Sequence, residues 1–202
     1  MAHTPQPTNK PGAPSLDSET WVRSYHLSMA ALTASDVKAL LNLQPHPREG
    51  GWYIRTWESE DLLAPAAFPD ARYATPRRTS TAIYYLLEPH TFSEMHVLQS
   101  DEIFHHYLGS AVEMLQCFPD GASKRILLGK DIAAGELLQA VVPRGVWQGS
   151  HLLKPDEPNA WALLGCTVSP GFEFEDYADA PRATLLARWP HERALLEKLT
   201  HA

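Results

Sequence analysis

A histidine and a glutamate stand close together in the middle of the chain, at His96 and Glu102, and a glutamine follows further along at Gln148. An imidazole and a carboxylate can together move a proton next to a carbonyl group, or they can bind a metal ion. The glutamine can offer an oxygen to a metal, or both a donor and an acceptor to a substrate. These three residues are therefore the first candidates for a site and a tentative set of metal ligands.

An antiparallel sheet is expected to bring these residues together. From Gly50 onward, short stretches rich in β-branched and aromatic residues are separated by Pro, Gly, Asp and Asn, a spacing typical of an all-β domain. Alternation places His96 on the face opposite Met95 and Val97. Closure into a barrel or jelly roll would gather the inward-facing side chains in one cavity. The predicted strands are 52–56, 80–87, 94–98, 103–108, 113–118, 124–128, 137–142, 149–153 and 161–168.

The segments before and after the strands have other patterns. Residues 1–17 contain four prolines and almost no large apolar side chains, so we expect a disordered tail. Helical spacing predicts two short helices before the sheet, over 18–32 and from Ser35, and one short helix over 182–199. We expect residues 18–202 to form a single domain.

Composition narrows the classes of function. The chain has 202 residues, 44% hydrophobic content and a formal net charge of −7, and no cluster of basic residues that would bind nucleic acid. It has no apolar run of membrane-spanning length and no apolar stretch typical of a secretory signal near its start. Cys117 and Cys166 lack the spacing of a zinc site, and we interpret both as reduced core residues. These features indicate a cytoplasmic protein with no nucleic-acid partner and no membrane partner.

Five motifs resemble those of the DUF985 (Cupin_5) group of the cupin superfamily, in the same order and within residues 33–188. They are HPREGGWY at 46–53, STAIYYLL at 80–87, SDEIFH at 100–105, VPRGVWQ at 142–148 and PGFEFEDY at 170–177. The resemblance implies an all-β cupin jelly-roll barrel with short flanking helices, and a homodimer formed through edge strands. One departure is that Arg48 lengthens the usual His-Pro-Glu-Gly-Gly run by one residue.

The resemblance also implies site positions. In cupin barrels the first short motif normally supplies two histidines and a glutamate, and the second supplies another histidine. Here His96 and Glu102 occupy family positions, whereas Leu98 and Gln148 replace the other two histidines. By family likeness His105 is placed toward the pocket as a further catalytic candidate, and His106 is interpreted as a surface residue.

Further residues are candidates for substrate binding. Arg55 and Arg78 can bind an anionic or carbonyl-bearing substrate through the guanidinium group. Trp147 and Phe172 can form apolar walls around a flat ligand. Alternation does not decide between Tyr84 and Tyr85, and Tyr85 is kept as the binding candidate.

Three functions follow as alternatives. The first is an isomerase or epimerase for a carbonyl-containing metabolite, with His96 as general base and Glu102 orienting it; the resemblance motivates it, because sugar-nucleotide epimerases of the cupin superfamily act without metal. The second is an oxygenase that holds a divalent metal, Fe, Mn, Ni or Zn, on His96, Glu102, Gln148 and a fourth group. The third is a barrel that binds a small molecule without turnover. A divalent metal and no cofactor are both compatible with the sequence.

Overall fold

The structure, a computed structural model, describes residues 32–201. The predicted tail at 1–17, and the predicted helix at 18–32 apart from Leu32, lie outside the described residues. The helices are α1 (Ala34–Leu41), α2 (Arg182–Arg188) and α3 (Arg193–Lys198). The strands are β1 (Gln44–Pro45), β2 (Trp52–Glu58), β3 (Leu62–Leu63), β4 (Arg77–Arg78), β5 (Thr81–Leu87), β6 (Phe92–Val97), β7 (Asp101–Gly109), β8 (Val112–Cys117), β9 (Ser123–Leu128), β10 (Gln139–Val142), β11 (Trp147–Leu152), β12 (Ala162–Ser169) and β13 (Ala178–Asp179).

Two antiparallel sheets form the body of the fold. The larger sheet has the strand order β1-β2-β5-β12-β7-β10, and the smaller has the order β13-β6-β11-β8-β9. Strands β3 and β4 form a separate two-stranded ribbon. The sheets are joined where Gln116 Nε2 of β8 donates to the Val141 carbonyl of β10 at 2.9 Å. The expected all-β cupin fold with short flanking helices is confirmed.

Two apolar clusters lie on opposite faces of the smaller sheet. Between the sheets, Met114 of β8 packs with Tyr85, Phe104 and Leu164 of the larger sheet. On the outer face, Leu115 packs with residues of the C-terminal helices. Met114 and Leu115 are neighbours on β8 and belong to different clusters, because successive side chains of a strand point to opposite faces of the sheet.

All nine predicted strands are present, with ends shifted by no more than two residues. The short strands β1, β3, β4 and β13 were not predicted, because two residues cannot establish an alternating pattern. The predicted helix at 182–199 is two helices, α2 and α3, joined by a 3-10 turn at Pro190–Glu192. The break occurs at Trp189, because the residue before a proline is disfavoured in the helical conformation. Among residues 32–201, no helix is long and apolar enough to cross a membrane.

The helix expected from Ser35 begins at Ala34, because Thr33 caps it. The Thr33 hydroxyl accepts from the Asp36 backbone N–H, and the Asp36 carboxylate accepts from the Thr33 backbone N–H. This reciprocal pair satisfies two donors at the start of the helix.

Candidate functional site

A cavity of about 300 Å³ lies at one end of the space between the sheets. Strands β2, β5, β7 and β12 form its walls, through side chains that include Tyr53, Ile83, Glu102 and Cys166. The loop between β1 and β2 contributes His46 and Glu49, and residues 172–174 after β12 complete the lining. The volume is at the small end of the range for small-molecule sites.

Glu102 reaches the cavity from β7 and is held from behind by two residues of the smaller sheet. Gln148 on β11 donates an amide hydrogen to the Glu102 carboxyl and lies 3.2 Å from His96 Nε2. His96 Nδ1 lies 2.7 Å from the Glu94 carbonyl oxygen, so this nitrogen carries the proton and Nε2 accepts from Gln148. The three candidates drawn first from the sequence are therefore joined in one buried hydrogen-bonded chain.

Glu49 and His46 are two cavity residues that were not among the candidates. The Glu49 carboxyl lies 3.8 Å from His96 Nε2 and 3.7 Å from His46 Nε2, and it accepts from the Ser93 hydroxyl at 3.3 Å. His46 Nδ1 accepts from the Glu49 backbone N–H at 2.9 Å, which leaves the proton of the neutral ring on Nε2. The HPREGGWY motif at 46–53 was the available signal for both residues.

Two glycines allow this loop to approach the sheets. Gly50 and Gly51 have φ values of 86° and 66°, in the left-handed region that glycine favours. A Cβ atom on Gly50 would lie 2.5 Å from the Phe92 carbonyl oxygen, and one on Gly51 would lie 2.8 Å from that of Leu86. The close approach also allows the Tyr85 hydroxyl to donate to the Gly50 carbonyl at 2.9 Å.

A strap, defined as residues 170–179, closes the same end of the fold. Its Phe172 and Phe174 line the cavity, and its Tyr177 ring stacks on His96 at a centroid distance of 4.9 Å. The additional residue Arg48 contacts this strap, because its guanidinium lies over the Tyr177 ring and binds Asp179 at 3.0 Å. The extra residue therefore leaves Glu49 directed into the cavity while Arg48 points outward.

A buried ion pair anchors the strap to β4. Arg77 donates to both carboxylate oxygens of Asp176 at 2.8 Å, and both side chains are only 2% exposed. Arg77 also binds the Glu175 carboxylate. A bidentate pair of this kind fixes both the distance and the orientation of the two segments.

Burial dominates the electrostatics of the site. It raises the pKa of Glu49 to about 7, and burial together with the nearby Glu49 charge raises the pKa of Glu102 to about 7. Burial lowers the pKa of His96, and burial with repulsion from His96 lowers the pKa of His46 to about 4. Near neutral pH the two imidazoles are uncharged, whereas each carboxyl is close to its midpoint.

Three of the predicted substrate-binding residues lie at or beside the cavity. Arg55 and Phe172 line it, and Tyr85 is buried with its ring centroid 6.2 Å from that of His46. Alternation left Tyr84 and Tyr85 unresolved, and the structure places Tyr84 on the outer face against Tyr107. Arg78 is not among the lining residues, because it binds the Ser59 carbonyl and Glu58.

The placement of His105 toward the pocket is wrong. His105 is three residues from Glu102 on β7 and therefore points to the opposite face, where it contacts Gln139 and Thr167. His106, interpreted as a surface residue, is instead buried, with Nε2 3.0 Å from the Ser110 carbonyl oxygen. Trp147 does not form a cavity wall either, because it adjoins Gln148 and packs in the outer cluster with the C-terminal helices.

The donor set was tested for its fit to a metal ion. Among residues 32–201, no group of three or more His, Cys, Asp or Glu side chains is arranged to hold one. The lone pair of His96 Nε2 faces the Gln148 amide nitrogen, and Gln148 presents that nitrogen, not its oxygen, to Glu102. The arrangement fits a hydrogen-bonded chain and not a metal centre.

The pair of antiparallel sheets, with a cavity at one end, defines a cupin-type barrel. Residues 35–180 match the family described as Cupin superfamily (DUF985), Cupin_5, and the chain belongs to this family.

Three relatives show how far the similarity extends. An uncharacterised protein of Saccharomyces cerevisiae is 37% identical over 101 residues, which is 50% of each chain, so the match spans about half the length of that relative. A hypothetical protein from Leishmania major has a TM-score of 0.76 at 28% identity, covering 85% of this chain and 100% of its own. A protein from Shewanella oneidensis has a TM-score of 0.73 at 32% identity, covering 84% and 98%. None of these three descriptions names an activity.

Proposed function

We propose that this chain is an isomerase or epimerase that moves a proton on a carbon next to a carbonyl group. The observation that carries the proposal is the position of Glu102, which is buried, lines the cavity and has a pKa raised to about 7. A carboxyl with this pKa is available near neutral pH both as a base and as an acid. It can take a proton from the substrate carbon and return it at another position, with no net oxidation.

The roles differ from the sequence-based hypothesis, in which His96 was the base. His96 Nε2 is directed to Gln148, whereas the Glu102 carboxyl lines the cavity. In our proposal Glu102 is the catalytic residue, and Gln148 and His96 are positioning residues that hold its carboxyl.

Deuterium incorporation tests this proposal. A panel of small ketones and ketoses is incubated with the protein in heavy water, and loss of the proton next to the carbonyl is followed by NMR. We expect Glu102→Gln to lower the exchange rate by roughly 10²-fold or more, because the amide has the same shape but cannot accept the proton.

Two histidine variants complete the experiment. His96→Ala should also lower the rate, because Glu102 loses the support behind Gln148, whereas His105→Ala should leave it unchanged because His105 lies on the outer face. Exchange that is catalysed by the wild type and persists in Glu102→Gln would exclude the assignment.

A barrel that binds a small molecule without turnover is the second candidate. The observation in its favour is that the Gln148 amide nitrogen contacts both His96 and Glu102, so these two side chains are already engaged without a substrate. A small molecule retained in native mass spectrometry, with no exchange in any ketone of the panel, would favour this candidate. A metal-dependent oxygenase has no comparable support, because the donor atoms do not converge.

We also propose a cytoplasmic location. The two cysteines, Cys117 and Cys166, are unpaired and buried, which suits a reducing compartment.

A further inference from the structure

The carboxyl groups in the cavity lack a cationic partner. Among the described residues, no Lys or Arg lies within ion-pair distance of Glu49 or Glu102. The groups within 4 Å of Glu49 that could carry a positive charge are His46 and His96, whose lowered pKa values leave both uncharged near neutral pH. A buried carboxylate without a counter-charge is costly, so the cavity is suited to a ligand that supplies one.

The one cationic side chain that lines the cavity is already engaged. Within residues 32–201, Arg55 is the only Lys or Arg in the lining. Its guanidinium donates to Glu58 at 3.1 Å and to the Phe172 carbonyl at 3.1 Å. The Arg55 guanidinium is therefore not directed at Glu49. A positive charge is lacking on the side of the cavity where Glu49 and Glu102 lie.

Aromatic rings lie near His46, whose Nε2 atom is 3.7 Å from the Glu49 carboxyl. The ring of Tyr53 lies 4.6 Å from that of His46, and the ring of Phe174 lies 6.0 Å from it. Phe172 packs edge-on against Phe174 at 5.2 Å. Aromatic faces attract cations through their quadrupoles, and a carboxylate beside such rings is a common arrangement for binding an ammonium group.

A second polar group nearby lacks a partner. Gln148 is 1% exposed, and its Oε1 atom has no hydrogen-bond partner, although the nitrogen of the same amide binds Glu102. Buried acceptors are normally satisfied, so an unpaired one on the amide that binds Glu102 indicates a place for a hydrogen-bond donor in this region.

We propose that the cavity binds a small organic cation, an ammonium-bearing compound whose nitrogen is held by the Glu49 carboxylate and the rings of Tyr53 and Phe174. Glu102 then remains free to act on the rest of the ligand. The inference rests on the proposed function only because it concerns the same cavity. If both hold, the substrate is a carbonyl compound that also carries a basic nitrogen. Anionic compounds are disfavoured, because they would lie against the carboxyls of the cavity lining.

Three probes of equal ring size and different charge test this inference. Benzylamine, benzyl alcohol and benzoate are titrated into the full-length protein at about pH 8, above the pKa of about 7 of both carboxyls, and binding is measured by protein NMR. We expect benzylamine to bind at least roughly tenfold more tightly than benzyl alcohol, and benzoate not to bind. The amide signals of Glu49, Tyr53 and Phe174 should shift with benzylamine.

Matched variants assign the effect to Glu49. Glu49→Gln keeps the shape of the side chain and should remove the preference for benzylamine while leaving benzyl alcohol binding unchanged. Glu60→Gln removes the same charge at an exposed position outside the cavity lining and should retain the preference. The thermal midpoint of each variant verifies that it is folded.

Several outcomes would overturn the inference. They are binding of benzoate equal to that of benzylamine, an equal loss in the two glutamate variants, a preference that survives Glu49→Gln, and no binding of any probe. Because binding is measured without turnover, amine binding without deuterium exchange in a ketone panel extended with amino ketones would reject the proposed isomerase and keep this inference. Deuterium exchange without amine binding would reject this inference and keep the proposed isomerase.

Discussion

At the scale of single residues, the chemistry of the site depends on carboxyl groups that are buried without a cation beside them. Glu49 and Glu102 are both held near their midpoints at neutral pH, and the charge of Glu49 contributes to the shift of Glu102. This arrangement lowers the free energy of unfolding when the carboxyls are ionised. The reason is that each of them ionises less readily in the folded protein than in the unfolded chain.

Replacing Glu102 should reveal this cost as a function of pH. The folded protein keeps the Glu102 proton up to about pH 7, whereas the unfolded chain loses it near the ordinary value of 4.5. The stabilisation that comes from holding the proton is therefore complete below pH 4.5 and is lost as the pH rises through 7. Relative to the wild type, Glu102→Gln should gain on the order of 2 to 3 kcal/mol in the free energy of unfolding across this range.

Urea unfolding at several pH values checks this prediction. Taking the difference between variant and wild type cancels the contributions of titrating groups that do not interact with Glu102. A difference that stays constant from pH 4.5 to 7 would mean that Glu102 is not shifted in the folded protein.

The donor atoms at the site give a prediction about metal content. Because His96 Nε2 faces an amide nitrogen, we expect protein purified without chelators or an affinity tag to contain less than stoichiometric metal. Inductively coupled plasma mass spectrometry on the wild type, His96→Ala and Glu102→Ala measures this. Stoichiometric metal that is lost in both variants would identify these residues as ligands and contradict the hydrogen-bonded chain.

The sequence predicted part of the site, for reasons that particular residues make clear. His96, Glu102 and Gln148 were found because each lies in a strand, where alternation and the motif order define the face. His46 and Glu49 were missed because their positions depend on the left-handed turn at Gly50 and Gly51, which alternation does not describe. His105 and Trp147 were placed on the wrong face of the sheet. The two-residue period of a strand puts His105 on the face opposite Glu102, and Trp147 on the face opposite Gln148.

At the scale of elements, the strap is positioned by one buried interaction. Arg77 and Asp176 are each 2% exposed and make a bidentate pair that joins the strap to β4. Replacing only one partner of such a pair leaves an uncompensated buried charge. This lowers the free energy of unfolding more than replacing both partners does.

Arg77→Met should therefore lower the free energy of unfolding by about 3 to 5 kcal/mol, because Asp176 is left without its partner. The double variant Arg77→Met with Asp176→Leu should recover much of this loss. Urea unfolding of the wild type, both single variants and the double variant measures the coupling. Additive effects of the two single changes would show that the pair contributes nothing as a unit.

Among the elements, the long strands were predicted from the sequence, whereas the short strands and the break between the C-terminal helices were not. Strands of six or more residues carry enough alternation to be recognised, as β5 and β12 show. The break between α2 and α3 required the effect of Pro190 on Trp189, and the two-residue strands are defined only by the partners they meet in space.

At the scale of the whole molecule, we propose that the outer face of the larger sheet forms a homodimer interface. Cross-strand pairs place Tyr84, Ile103, His105 and Val141 on this face together with Tyr107. Tyr107 is 48% exposed and Val141 54% exposed, and none of these five side chains carries a Lys, Arg, Asp or Glu charge. In a two-fold interface each residue meets its own equivalents, so an uncharged apolar face is compatible with itself.

Sedimentation velocity should therefore show a dimer for the wild type. Val141 lies on β10, an edge strand of the larger sheet, so Val141→Lys should give a monomer by placing like charges near one another across the interface. Leu40→Lys, at a residue 69% exposed on α1, is a control that should remain dimeric. A wild-type monomer at all concentrations would reject this interface.

The additional residue at Arg48 has a kinetic consequence. The ion pair between Arg48 and Asp179 links two cavity-lining segments, the loop before β2 and the strap, and its side chains are 43% and 51% exposed. An exposed pair is weakened by dissolved ions, whereas the buried anchor of the strap at Arg77 is shielded from them. The rate at which a molecule enters or leaves the barrel should therefore rise with ionic strength even while the stability of the fold stays nearly constant.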